Sequence, residues 1–428
     1  MMNTFTVIFL IALSAYFVFR WWLNERQMKF VANHRDKIPE YFQDKLSIED
    51  HHKAADYSKA YGKLSRYQLL FETAILLVWT LGGALTWVDE FWAASEFSPL
   101  WQGIWVILSV VIISTLVSLP FSIYQTFSIE QRFGFNHTTG SVFMGDLIKG
   151  LLINLVIGIP FLWLVLWLMI GSGSLWWLYV WMVSVAFFFL MYWGYPTYIA
   201  PIFNKFNPLD NETLKQRIEN LLTQCGFESK GVFVMDGSKR SSHSNAYFGG
   251  LGNSKRVVFF DTLMKQLSED EIEAVLAHEL GHFRLNHIKK GFVQMNLYML
   301  ALLGLLGWVI TQSWFYSGLN VAIPSSTTAP YIALVLFFMV IPKFTFIIDP
   351  IFSYLSRKHE FEADAFAASK KDAQLLIDAL VKLNKENAKT VTPDPMYSMV
   401  YDSHPPATIR IEHLLSLIKT DTPASADS

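Results

Sequence analysis

His278, Glu279 and His282 stand in the run AHELGHF, and their types and spacing define a chemistry. Residues four apart share one face of an α-helix, so the two imidazoles can meet at a single metal ion. Glu279, turned about 100° from His278, can reach a water beside them. A helix is the expected setting: Ser268 and Glu271 form a capping-box pair, and EIEAVLAHELGHF carries no breaker before Gly281. Such five-residue patterns also arise by chance, and a histidine pair can merely flank a polar cavity. Here Ala277 precedes the pair and Gly281 lies inside it, which leaves room for another element to come close. Cys225 is the only cysteine, which excludes an intrachain disulfide and thiolate-rich metal sites; imidazoles and carboxylates are the ligands at hand.

A hydrolytic zinc site takes three protein ligands and keeps a fourth position open. Where a metzincin motif would continue with a glycine and a third histidine, this chain has Leu285 and Ile288, and His287 falls one place early. The third ligand must then be acidic. The strongly helical run SRKHEFEADAFAASK (356–370) offers Glu360, Glu362 and Asp364. Glu360 and Asp364 share a face, whereas Glu362 points roughly opposite. One of the pair could bind the metal while the other orients an imidazole. Spacing does not choose between them, and a solvated acidic face has the same pattern.

The elements that hold these residues belong to a membrane protein. Of 428 residues, 52% are hydrophobic and 16% charged, where a soluble domain carries roughly a quarter charged. A net charge of -2 provides no basic excess for a nucleic-acid backbone, so no nucleic-acid partner is expected. A bilayer core needs about 20 apolar residues per helix, and seven segments qualify: 6–23, 69–87, 101–123, 148–170, 175–193, 291–310 and 331–354. The last contains Pro342, Lys343, Asp349 and Pro350, which predicts a kinked second half facing protein or water. The first lacks a basic leader and a small-residue cleavage site, so it reads as a retained anchor.

Charge sets the orientation. The end of the first span and the connection after it carry Arg20, Arg26, Lys29, Arg35, Lys37, Lys45, Lys53, Lys59, Lys63 and Arg66. The loops 89–100, 171–174 and 311–330 have no Lys or Arg. Lys and Arg collect on the cytoplasmic side, which places the N-terminus outside and the C-terminus and active site in the cytoplasm. The expected division is 1–194 (spans one to five), 195–290 (polar, with the HExxH helix), 291–354 (spans six and seven) and 355–428 (polar, with the acidic ligand). In the first polar region 211–226 reads as a helix. The runs 231–235 and 256–260, with SNAYF and the turn GGLGN between them, read as a small sheet with a hairpin. The ending DTPASADS reads as a disordered tail.

Together these segments resemble the type I CAAX prenyl proteases, integral-membrane zinc metalloendopeptidases. HELGH (278–282) and SRKHEFEADAFA (356–367) are similar to that family's paired signatures. So are FSIEQRFGFN (127–136), YPTYIAPIFNKFNPL (195–209), HSNAYF (243–248) and HPPATIRI (404–411), so the resemblance covers nearly the whole chain. It implies one zinc ion per chain held by His278, His282 and Glu360, with Glu279 as general base and Asp364 behind an imidazole. His404 and Arg410 would stabilise the transition state, and the strand Asn245, Ala246 and Tyr247 would pair with substrate backbone. The implied fold is all-α and polytopic, seven transmembrane helices around a water-filled chamber with the site at its cytoplasmic end. The implied partners are membrane lipids and peptide or prenylated CaaX substrates.

Two other readings compete. A heat-shock-type quality-control protease would use the same zinc centre on unfolded membrane segments. A transporter or receptor with an incidental HExxH would bind no stoichiometric zinc. Short outer loops and the lack of an ER-retrieval ending favour a bacterial inner membrane over an ER membrane. Oligomeric state is not encoded in these features.

Overall fold

Two cores of different character organise the chain. The computed structural model describes residues 3–250, 255–322 and 329–421, so DTPASADS beyond Asp421 and most of the GGLGN turn lie outside the described residues. The first core belongs to a bundle of long apolar helices: α1 (Thr4–Asn33), α2 (Ile48–Trp79), α3 (Ala84–Ala93), α4 (Pro99–Tyr124), α5 (Gly140–Gly171) and α6 (Trp176–Gly194). α4 continues through a π-helical turn, Gln125–Glu130. α6 does so through Tyr195–Ile199 into the short α7 (Ala200–Phe203). Phe9, Leu85, Ile104, Leu166 and Leu336 are fully buried within the bundle. Its outer faces remain apolar and uncovered: only 11% of the most apolar window of α5 is buried, and Val156 is 73% exposed. Such surfaces require lipid.

Among the described residues six helices are long and apolar enough to cross a bilayer, and seven if α2 and α3, bent by 48° at their break, make one span. That agrees with the seven segments expected.

The second core belongs to a mixed domain formed from both sides of the last two spans. α8 (Glu212–Gln224) is capped by Asn211, whose side chain accepts from Leu214 N at 3.0 Å, and stops ahead of Gly226 at φ 75°. Strands β1 (Phe206–Pro208), β2 (Val232–Met235), β3 (Ala246–Gly249) and β4 (Arg256–Phe260) form one sheet in the order β1-β2-β4-β3. The two runs flanking SNAYF, β2 and β4, pair in parallel, whereas β1 with β2 and β3 with β4 are antiparallel. The reason is compositional: Val257, Val258 and Phe259 are all buried, and a run apolar on both faces suits a central strand with a parallel neighbour. β3 is left at the sheet edge.

Beyond the sheet come α9 (Asp261–Gln266) and α10 (Glu269–Arg284), which bears HELGH. α11 (His287–Val309) and α12 (Ser313–Gly318) return to the bundle, followed by α13 (Pro330–Val340), α14 (Pro342–Thr345) and α15 (Asp349–Ala368). The prolines at 342 and 350 interrupt this last span as expected, and a short 3-10 turn, Phe346–Ile348, separates α14 from α15. α16 (Ala373–Glu386), α17 (Pro395–Tyr401) and α18 (Ala407–Asp421) complete the chain. Phe259, Ala277, Leu280, Ile377 and Leu414 are fully buried where α10, α16, α18 and the sheet meet.

The contact that makes a site is α10 against α15. The capping box at Ser268 and Glu271 is present, with Ser268 N donating to Glu271 Oε2 at 2.7 Å. One turn from its end, Gly281 lets α15 approach so closely that a Cβ there would lie 3.1 Å from Ala363 Cα and 3.2 Å from Ala363 O. Both neighbours are backbone and cannot rotate away. Gly281→Val is therefore expected to cost about 1–3 kcal/mol of stability through overpacking, read as a lower midpoint in denaturant unfolding. An unchanged midpoint would mean the helices separate freely.

Candidate metal centre

Each member of the centre is placed by a helix. α10 contributes His278 and His282 from successive turns, and α15 brings Glu360 across the Gly281 contact. The nearest nitrogens, Nε2 of each histidine, are 3.2 Å apart. Glu360 Oε1 lies 3.3 Å from His282 Nε2, and Oε2 lies 3.5 Å from His278 Nε2. One ligand atom from each of the three residues falls within 4.8 Å of the others. Among the described residues this is the only such cluster. Glu360 Oε2 is buried and accepts no well-aligned hydrogen bond, although the Arg410 guanidinium lies 3.2 Å away, which leaves a buried acceptor free to bind a metal. Two imidazoles and one carboxylate converging on a common point are the donor set of a hydrolytic zinc site, so the residues present fit a divalent metal.

Behind the cluster the charges are arranged to hold it. Asp364, fully buried, lies with Oδ1 2.8 Å from His278 Nδ1. Arg410, on α18, donates from Nε to Asp364 Oδ2 at 2.8 Å and from a terminal nitrogen to Oδ1. Its other terminal nitrogen lies 3.2 Å from Glu360 Oε2. The guanidinium thus engages two carboxylates, Asp364 and Glu360. His404 is different. Its ring is 55% exposed and its Nε2 lies 3.4 Å from Glu360 Oε1, at the open side of the cluster. Glu279 is half-buried on α10 beside both histidines. Burial pushes its carboxyl above the usual range, against the pull of His278 and His282, which suits a group that must hold and release a proton.

Of the residues expected from sequence, His278, Glu279, His282, Glu360, Asp364, His404 and Arg410 come together. Asn245, Ala246 and Tyr247 do not touch the cluster. Ala246 and Tyr247 lie in the edge strand β3, which packs on α10 through Phe248 and Phe283, 4.5 Å apart. Sequence reasoning missed two groups. One is His287 with Glu362, of which the sequence shows only that neither falls where a zinc ligand is needed. The other joins Glu130, in the π-helical turn, to the entry of β3. Glu130 accepts from Tyr57 at 2.7 Å, its Oε2 lies 3.3 Å from His243 Nε2, and His243 Nδ1 lies 3.1 Å from Asn387 Oδ1. The joint occurrence of FSIEQRFGFN and HSNAYF is its only sequence signal.

Comparison with known proteins agrees with this geometry. Residues 27–205 match the model of the CAAX prenyl protease N-terminal region with five membrane helices, and residues 208–418 match peptidase family M48. A Dictyostelium discoideum CAAX prenyl protease 1 homolog is 33% identical, over 93% of this chain and 94% of its own. The chain belongs to the type I CAAX prenyl proteases of family M48. Among other relatives, CAAX prenyl protease 1 of Saccharomyces cerevisiae is 34% identical over 94% of this chain and 93% of its own. The crystal structure of S. mikatae Ste24p superimposes with a TM-score of 0.90 at 34% identity, covering 96% of this chain and 99% of that one. As a member of this family the chain is an integral-membrane, multi-pass metalloprotease.

Proposed function

We propose that the metal is zinc, one per chain, held by His278, His282 and Glu360, and that the enzyme removes the C-terminal tripeptide from prenylated CaaX-type substrates. The observation that carries the reading is the three-donor cluster on the α10–α15 contact with Glu279 beside it. The names of the relatives supply the substrate class. Zinc bound there would supply Lewis-acid chemistry, polarising the scissile carbonyl and lowering the pKa of water to about 7. Glu279 takes the proton of the attacking water and returns it to the leaving amine. His404, exposed at the mouth, donates a hydrogen bond to the developing oxyanion. Arg410 holds Glu360 and Asp364 in place rather than touching substrate. An extended substrate adds to the open edge of β3 beside Asn245, Ala246 and Tyr247, held by main-chain bonds that make modest sequence demands. The protease region is assembled from 195–290 and 355–428, and the excess of Lys and Arg after the first span faces it to the cytoplasm.

The test is mass spectrometry of products from matched farnesylated and unmodified CaaX peptides. Release of the last three residues, faster from the farnesylated peptide, is the expected result. Equal cleavage of both peptides, together with cutting of unfolded membrane segments, would instead indicate the quality-control activity.

A further inference from the structure

We propose that His287 and Glu362 form a relay that locks His282 in its metal-facing tautomer and orientation; this rests on the metal site proposed above. His282 Nδ1 lies 3.1 Å from His287 Nδ1, and His287 Nε2 lies 2.8 Å from Glu362 Oε2. One proton arrangement satisfies every link. If His282 presents a bare Nε2 to the metal, its Nδ1 carries hydrogen and donates to the lone pair on His287 Nδ1. His287 must then keep its own proton on Nε2, which donates to the Glu362 carboxylate. The ring cannot easily turn out of this line: His287 is buried, and His359 stacks on it at 4.1 Å with 12° between planes.

The two metal-facing imidazoles are therefore backed in parallel. His278 has Asp364 directly behind it, 2.8 Å away, and His282 has Glu362 behind it through a second imidazole. Hydrogen bonds of this kind fix the ring and tautomer of a metal-binding histidine and strengthen it as a ligand. All three carboxylates of the α15 run then act on the centre, with Glu360 at the metal and Asp364 and Glu362 behind the two rings.

The backbone is built for the contact. In an unbroken helix, residues five apart differ by about 500° of rotation, which would leave His287 roughly 140° away from His282. α10 instead ends at Arg284, and Asn286 takes the left-handed conformation, φ 61°, before α11 begins at His287. Asparagine is among the few residues that visit this region readily. The break swings His287 back over the preceding turn and toward Glu362.

The test uses full-length protein in detergent and reads zinc affinity by competition with a chelator. His287→Leu is expected to weaken zinc by about 10–100-fold, and His287→Gln, whose amide can accept from His282 and donate to Glu362, to recover most of that loss. Cobalt substituted for zinc should show shifted visible bands in His287→Leu and near-native bands in His287→Gln. Glu362→Gln, at a half-exposed position that can change without unfolding the chain, should weaken zinc several-fold. Wild-type zinc affinity in both His287→Leu and Glu362→Gln overturns the relay. If His282→Ala also keeps zinc, the metal-site assignment itself has failed; if only His282→Ala loses it, the relay alone is wrong.

Discussion

Glu279→Gln is expected to keep one zinc ion per chain while turnover of a farnesylated CaaX peptide falls by about 10²–10⁴-fold, the range contributed by a positioned acid–base group. The amide has the shape of the carboxyl, so neither the α10–α15 contact nor the three donors should shift. What it lacks is a site for a proton. The cluster puts Glu279 next to His278 on the helix without making it one of the three converging ligands, so the variant separates binding from chemistry. Burial already holds the Glu279 carboxyl above its usual range, and replacing it removes the group that bridges water and leaving amine. Metal analysis and single-turnover cleavage on the same preparation decide the matter. Unchanged cleavage with zinc retained would remove Glu279 from the mechanism. Loss of both would mean that it binds metal after all.

How much of this was legible in the sequence depends on the range of the interaction. Helix α10 was legible because its capping box, its apolar positions and HELGH are all local. The spans were legible because a bilayer demands about 20 apolar residues in a row. The kink in the last span followed from Pro342 and Pro350. Gly281 gave away a close helix contact without naming the partner; the structure supplies Ala363 of α15. The relay was invisible for a geometric reason. Helical spacing places Glu362 opposite Glu360 and His287 off the His282 face. Only the left-handed turn at Asn286, together with the packing of α11 against α15, brings them into line. For Arg410 the sequence offered only the transition-state role implied by the family resemblance of HPPATIRI. Its engagement by Asp364 and Glu360 depends on α18 meeting α15, a contact between residues 46 apart in sequence.

Glu360→Ala should bring the zinc content of the purified protein from one per chain to near zero and abolish cleavage, and His278→Ala should do the same. The loss should exceed the 10–100-fold expected when a residue behind a ligand is changed, because two imidazoles cannot complete the three-ligand set. The fold should survive the first substitution. The Arg410 guanidinium loses its contact with Glu360 but keeps its paired bonds to Asp364, so it still has a buried carboxylate partner. Folding and metal binding can then be separated by linkage. Wild-type protein with free zinc at 1,000 times its Kd gains about 4.1 kcal/mol, so its melting temperature rises when zinc is added to the metal-free form. Glu360→Ala should melt near the metal-free wild type and show no such rise. A variant that lacks Glu360 yet still binds one zinc per chain with native affinity would shift the third ligand to Asp364, the other carboxylate on that face. Asp364 is already held by Arg410 and His278, which is the structural reason for expecting Glu360 instead.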